Sequence, residues 1–234
     1  MRIRTDKTIT EEFEGRFRVL YRSVYSIVGP IMTMRERFKE PLINPTWEQV
    51  VERDPLMSFS HYLSGRVHVL LALADEILEH LDQGFSEAHV DGGRVERAES
   101  LMWLWMLGAY EVVRTMCQAK ACFSDNTFNE LARLKKALSL VRMPAAKMEK
   151  SGKNEPVTSN RSPAGWDVAK QDLLVNDPEA KPDISARFIL AEFDRVFSSM
   201  TKHDVLARHE ESYSSGPNNG MQPTPQSGAV DAGR

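Results

Sequence analysis

One acidic and one basic side chain follow the most apolar stretch of this 234-residue chain, and they are the first candidates for chemistry. Residues 101–110 are apolar apart from one glycine, and Glu111 and Arg114 come directly after them. Side chains three residues apart are neighbours on a helix, so the two can pair. A carboxylate buried without a partner is costly and shifts its pKa. We therefore take Glu111 and Arg114 as a candidate polar pocket, to which other helices could bring Arg66 and Arg142.

The same pair can also be explained without a function. A glutamate at the end of a buried stretch can be a structural ion pair, in which Arg114 neutralises Glu111. The chain contains no P-loop, GxSxG, HExxH or GxGxxG motif. Catalytic residues therefore stay unassigned, and enzymatic activity stays open.

A line of metal-ligand residue types is the next candidate. His61, His68, Asp75 and Glu79 follow one line of a predicted helix, at spacings of seven, seven and four. Histidines seven residues apart are separated by about 10 Å of helix rise, too far to share one ion. The line also lies opposite the apolar seam of the helix, so we expect a solvated face. The sequence predicts no metal site and no cofactor.

The elements that must position these residues are helices. Apolar residues at helical spacing predict a mainly α-helical bundle of about five to seven helices, in a single domain over residues 1–211. Caps, glycines and prolines place the helices at about 8–31, 46–54, 56–83, 94–123, 124–144 and 183–200. The capping box Thr46-Trp-Glu-Gln49 begins the second helix, and Asp91-Gly-Gly93 is predicted as a turn before the fourth. Ser124 or Asp125 caps the fifth helix, which Pro144 limits, and Asp183 caps the last. The apolar seam of the third helix consists of Phe59, Leu63, Val67, Leu70, Ala74, Ile77 and Leu81. An exposed loop is expected at about 150–165, and at most a short β element near 166–175.

The helix at 94–123 is predicted to be central, because residues 101–113 are apolar on nearly all sides. Trp103, Leu107 and Tyr110 form a second apolar surface on it, beside the one that faces the core. A second surface of this kind can pack on another part of the chain or on a symmetry mate. We therefore predict a homodimer or a protein partner, with these three residues as the candidate interface.

Charge is distributed unevenly, although the net charge is only −3. Residues 72–100 contain eight acidic and two basic side chains, whereas residues 133–153 contain seven basic and one acidic. The basic segment could contact phosphates. It lacks interleaved aromatic residues and any known nucleic-acid motif, so nucleic-acid binding is the weaker alternative.

Three features predict a soluble cytoplasmic protein without membrane association. The longest apolar run is far shorter than the roughly 20 residues of a membrane span. No apolar signal core follows the basic N-terminus. Cys117 and Cys122 are five residues apart, which suits neither a CxxC metal pair nor a disulfide within one helix.

The C-terminal segment differs from the rest of the chain. Residues 212–234 contain three prolines and four glycines and almost nothing to bury, so they are predicted to be disordered. Their ending, Asn219-Gly-Met-Gln-Pro-Thr-Pro-Gln-Ser-Gly-Ala-Val-Asp-Ala-Gly-Arg234, resembles the ending shared by many proteins encoded on integron gene cassettes, with Val230 in place of the usual alanine. In those proteins the reading frame runs into the recombination site. The resemblance implies a mobile bacterial gene and nothing about residues 1–211.

Taken together, the residues favour an interaction or small-molecule-binding module. One alternative is a protein that acts on nucleic acid in a defence or toxin–antitoxin system, since such proteins are common cassette cargo. A second alternative is an enzyme with a polar pocket around Glu111 and Arg114.

Overall fold

The computed structural model of the protein describes residues 37–38, 41–86, 89–149, 155–157, 165–176 and 183–209. The helix predicted near 8–31 and the tail predicted from 212 onward lie outside the described residues. Within them the fold is mainly α-helical, with six α-helices and one two-stranded sheet, which confirms the predicted fold class. No helix in these ranges is long and apolar enough to span a membrane.

The first described helix, α1 (Trp47–Arg53), begins at the predicted capping box. The side chain of Thr46 accepts from the amide of Gln49, and the side chain of Gln49 accepts from the amide of Thr46. The helix ends before Asp54, whose place in front of a proline disfavours further helix. Sequence therefore placed this element correctly.

The next helix was predicted as one piece over 56–83, and that prediction is wrong at its start. A single turn, α2 (Leu56–Phe59), is followed by Ser60 in an extended conformation. The Ser60 hydroxyl accepts from the amide of Leu63 and caps a separate helix, α3 (His61–Gly84). Apolar spacing runs unbroken through the junction, so periodicity alone could not locate the break.

Three long helices form one layer. Helix α3 packs along one side of α4 (Gly92–Gln118), and α5 (Asp125–Lys147) packs along the other. The side chain of Trp105 on α4 donates to the carbonyl of Leu70 on α3, at 3.0 Å. The predicted seam begins at Phe59 in α2 and continues along α3, and it is buried throughout: Phe59, Leu63, Val67, Leu70, Ala74, Ile77 and Leu81. Helix α4 is thus the central helix that its apolar sequence predicts.

The ends of α4 and α5 differ in detail from the predictions. Asp91 caps α4, so the two glycines predicted as a turn lie inside its first turn. Ser124 caps α5 as predicted. Pro144 does not limit α5 but lies in its last turn, and Met148, with a φ of 56°, follows the helix. The proline costs α5 one hydrogen bond, and a 23-residue helix that packs on α4 tolerates this loss.

The last helix, α6 (Ala186–Ser198), covers one side of the layer. Its cap is Ser185, not the predicted Asp183. The ring of Phe193 lies 5.2 Å from that of Trp105, edge to face. The layer therefore has one side closed by α6, while the other side of α4 faces away from it.

The predicted short β element is a hairpin of β1 (Gly165–Asp167) and β2 (Asp172–Leu174). The buried carboxylate of Asp172 accepts from the amide of Arg187 and so fixes the start of α6. Trp166 lies against the first turn of α4, near Gly92. Val157, within the loop predicted as exposed, is buried and donates to the carbonyl of Met148.

Candidate functional site

The structure brings three of the four predicted pocket residues together. Arg114 Nε donates to Glu111 Oε2 at 2.7 Å, one turn along α4. From α5, Arg142 Nη2 approaches Glu111 Oε1 at 3.5 Å. The Arg142 guanidinium also lies over the ring of Tyr110, 4.7 Å from its centroid. The result is one carboxylate between two guanidinium groups, with a net positive charge.

The fourth predicted residue does not join them. Arg66 is exposed on α3, where it donates to the Tyr62 hydroxyl at 2.7 Å and stacks on the same ring at 4.8 Å. The structure therefore places Arg66 at Tyr62, away from the other three. A tyrosine four residues earlier on its own helix holds the guanidinium locally, which costs less entropy than reaching to another helix.

The cluster is a surface feature and not a closed pocket. The side chain of Glu111 is 47% exposed and that of Arg114 is 42% exposed. Both charges are therefore open to water. Arg142 is the more enclosed partner, and its Nε is buried without an acceptor in the described part of the chain.

The predicted interface residues lie on the side of α4 that faces away from α6. Trp103 is 46% exposed, and its ring nitrogen donates to the carbonyl of Ala145 on α5 at 3.0 Å. Leu107 and Tyr110 are half-buried. The neighbouring Leu104 is 52% exposed, and sequence analysis had not singled it out. We call this surface the α4 outer face, formed by Trp103, Leu104, Leu107, Glu111 and Arg114.

The α4 outer face continues onto α3. Arg97 on α4 pairs with Glu76 on α3 at 3.4 Å, which shows how the two antiparallel helices are aligned. One heptad further along each helix come Leu104 and Val69, and both are exposed. Residues seven apart lie on the same helix face. The groove between α3 and α4 thus has an apolar middle beside its ion pair.

Charges of opposite sign flank this apolar middle. The acidic residues of 72–100 belong to the ends of α3 and α4 that meet at Gly84 and Val95. The other end of the face carries Arg114 and Arg142 around one glutamate. The end of the α3–α4 pair beside Gly84 is therefore rich in acidic side chains, although Asp82 pairs with Arg187 on α6, and the other end of the face is basic.

The metal-ligand line on α3 does not form a site. No group of three or more histidine, cysteine, aspartate or glutamate residues that could hold a metal occurs in the described ranges. His61, Asp75 and Glu79 are exposed, as predicted for a solvated face, whereas His68 is partly buried. Its Nε2 lies 2.9 Å from Oδ2 of Asp54, a buried carboxylate that also accepts from the Ser64 hydroxyl. Asp54 stands 14 residues from His68, so helical spacing could not reveal the pair.

The remaining candidates are Cys117, as a nucleophile, and the basic segment 133–153, as a phosphate-binding site, and the structure supports neither strongly. Burial raises the pKa of the Cys117 thiol, although the charge of Lys135 opposes this, so Cys117 is not an activated nucleophile. In the basic segment, Arg133 pairs with Glu130 and Arg142 pairs with Glu111. Two basic side chains of the segment thus form ion pairs with carboxylates and are less available to bind phosphates.

Replacing Glu111 by glutamine is expected to change the free energy of unfolding by less than about 1 kcal/mol, because exposed ion pairs contribute little. Urea denaturation followed by circular dichroism measures this. Glu96→Gln, the same replacement at an exposed position of α4, is the control. A loss of several kcal/mol for Glu111→Gln alone would mean that the cluster holds α4 and α5 together.

Comparison of the chain with protein-family models, with curated proteins and with solved structures finds no match, so its function has to be inferred from this surface and its charges.

Proposed function

We propose that the protein is an interaction module that binds a second copy of itself through the α4 outer face. The observation that carries this proposal is the exposure of Trp103 and Leu104 in the middle of the central helix. Large aromatic and aliphatic side chains that stay exposed next to each other are typical of contact surfaces. Tryptophan and arginine, which both occur here, are also the residues most enriched at binding hot spots.

The charge pattern supports a second copy as the partner. In a two-fold symmetric contact, the same face meets itself in the opposite direction. The acidic end of one copy would then lie against Arg114 and Arg142 of the other, with Leu104 and Leu107 near the axis. Opposite charges placed in this way fix the alignment of the copies and speed up their encounter.

The alternatives have weaker support. An anionic small molecule could use the buried Nε of Arg142 and the ring of Tyr110, although the cluster is open to solvent. An enzyme would need a shielded acid or base, and Glu111 is half-exposed. Nucleic-acid binding in a defence system would rest on the basic side chains of residues 133–153, of which Arg133 and Arg142 are already paired with glutamates. The cytoplasmic compartment is proposed from the spacing of Cys117 and Cys122. The gene-cassette origin is proposed from the C-terminal sequence.

Disrupting the α4 outer face is expected to convert a dimer into a monomer. Leu104→Asp places a charge in the apolar middle, and Trp103→Ala removes its largest contact. Each should raise the dimer dissociation constant by at least about tenfold, which corresponds to about 1.4 kcal/mol. Sedimentation equilibrium of the full chain measures it directly.

Leu206→Asp is the matched control, because Leu206 is also exposed but lies in the C-terminal part of the described chain. It should leave the dissociation constant unchanged. The proposal fails if the unaltered chain is monomeric at about 100 µM, or if Leu206→Asp weakens the dimer as much as Leu104→Asp does.

A further inference from the structure

A regular stripe of six residues runs along the outer side of α4. Its members follow one another at alternating spacings of four and three residues, which places them on one face of the helix. All six are exposed or half-buried, whereas Trp105 and Val112, on the other side of the helix, are buried. We call these six residues the α4 stripe: Glu96, Ser100, Trp103, Leu107, Tyr110 and Arg114.

The α4 stripe is symmetric about the position of Trp105. Its end members, Glu96 and Arg114, stand nine residues before and after this position, and its inner members, Trp103 and Leu107, stand two residues before and after it. The remaining two, a serine and a tyrosine, stand five residues to either side. In a two-fold contact residue i meets residue j while j meets i. Two antiparallel stripes with a common centre therefore place carboxylate against guanidinium, hydroxyl against hydroxyl and indole against leucine.

The charged ends of the α4 stripe can take a partner from outside the chain. Glu96 is exposed, and in the described part of the chain its contact with the Ser100 hydroxyl uses the backbone carbonyl and not the carboxylate. Arg114 donates to Glu111 through Nε. A guanidinium has five N–H donors, so its two terminal nitrogens can hold a second carboxylate.

These two ends cannot pair with each other inside one copy. Eighteen residues of helix separate Glu96 from Arg114, a distance of about 27 Å. Across a two-fold axis that passes beside Trp105, each of them instead meets the other residue type of the second copy, twice in one contact. The charge complementarity of the stripe is therefore complete only between two copies.

We propose that the second copy binds with its α4 antiparallel and centred on the position of Trp105, so that Glu96 of each copy pairs with Arg114 of the other. This inference rests on the proposed function and names the residues that align the two copies. Glu96 is then a specificity-determining residue of the contact. A copy with the wrong charge at either end is rejected, because like charges meet there.

Charge reversal at the two ends tests the pairing in the full chain. Glu96→Arg makes two arginines face each other at both ends of the contact, and Arg114→Glu does the same with two glutamates. Each variant alone is expected to raise the homodimer Kd by at least about tenfold. Mixed one to one, the two variants present opposite charges at both ends. We expect a heterodimer at least about tenfold tighter than either homodimer, identified by its mass in native mass spectrometry.

Glu79→Arg, the same replacement at an exposed position of α3, is the control. It should leave the homodimer Kd unchanged and bind Arg114→Glu no more tightly than the unaltered chain does. If Glu79→Arg restores association as well as Glu96→Arg, net charge and not position is responsible, and the pairing is overturned. If the unaltered chain dimerises but the two reversed variants do not prefer each other, the pairing is wrong and the proposed function stands. If the unaltered chain and the mixture both stay monomeric at about 100 µM, the proposed function fails, and the pairing fails with it.

Discussion

Replacing Trp105 by alanine is expected to lower the free energy of unfolding by about 3–5 kcal/mol, the usual cost of removing a large buried aromatic side chain. The Trp105 ring is fully buried between α4 and α6, where it meets Phe193 at 5.2 Å. Its nitrogen donates to the carbonyl of Leu70, so the truncation also leaves that carbonyl without this donor. Urea denaturation of the full chain, followed by circular dichroism, gives the value.

Trp103→Ala is the matched control, because the same residue type stands two positions away on the same helix. Trp103 is half-exposed and is expected to cost less than about 1.5 kcal/mol in a monomer, since it buries less surface. The measurement is made at a concentration below the dimer dissociation constant, so that lost self-association does not add to it. Equal losses for the two variants would mean that Trp103 is as buried as Trp105, and therefore that α4 does not have α6 on one side and solvent on the other.

The different environments of these two tryptophans are one part of the fold that sequence could predict. On a helix, Trp105 falls in line with Met102, Ala109 and Met116, whereas Trp103 falls in line with Leu107 and Tyr110. All three residues in line with Trp105 are buried, and the line of Trp103 is more exposed. Periodicity is informative here because every residue involved belongs to one continuous helix.

The candidate site shows where that kind of inference ends. Glu111 and Arg114 pair as predicted because their spacing on α4 already determines their proximity. The contact of Glu111 with Arg142 depends on how α5 aligns with α4. Arg66 does not reach Glu111, because its guanidinium is held by the Tyr62 hydroxyl on its own helix. Sequence could suggest which residue types would pair. It could not say which of two available cations lies on the correct side of a neighbouring helix.

Local predictions failed where tertiary contacts decide the local conformation. Ser60 interrupts an unbroken apolar pattern, because the short α2 must turn before α3 begins. Asp183 and Ser185 are both acceptable caps by residue type. Ser185 is selected because Leu174 pairs with it at the end of the hairpin. In both places, the deciding contact comes from outside the helix that was being predicted.

The second large effect is expected at Asp54, the buried carboxylate that sequence analysis missed. Asp54 is 4% exposed and accepts from three groups: the Leu56 amide at 3.2 Å, the Ser64 hydroxyl at 2.5 Å and His68 Nε2 at 2.9 Å. One side chain therefore ties the start of α2 to the second and third turns of α3.

Asp54→Ala is expected to lower the free energy of unfolding by about 2–4 kcal/mol, because it leaves the Ser64 hydroxyl, which is itself buried, without its acceptor. Asp125→Ala, at an exposed position in the first turn of α5, should cost less than about 1 kcal/mol. Urea denaturation of both variants provides the comparison. A loss of under about 0.5 kcal/mol for Asp54→Ala would show that the three donors find water instead.

A double-mutant cycle separates the His68 contact from the rest of the Asp54 effect. If Asp54 and His68 interact directly, Asp54→Ala/His68→Ala should cost about 0.5–3 kcal/mol less than the sum of the single variants. His68→Ala also removes the ring on which Phe38 packs at 4.3 Å. That loss occurs in both His68→Ala and the double variant, so it cancels from the coupling energy. A coupling energy below about 0.5 kcal/mol would mean that Asp54 stabilises the fold through the Leu56 amide and the Ser64 hydroxyl and not through His68.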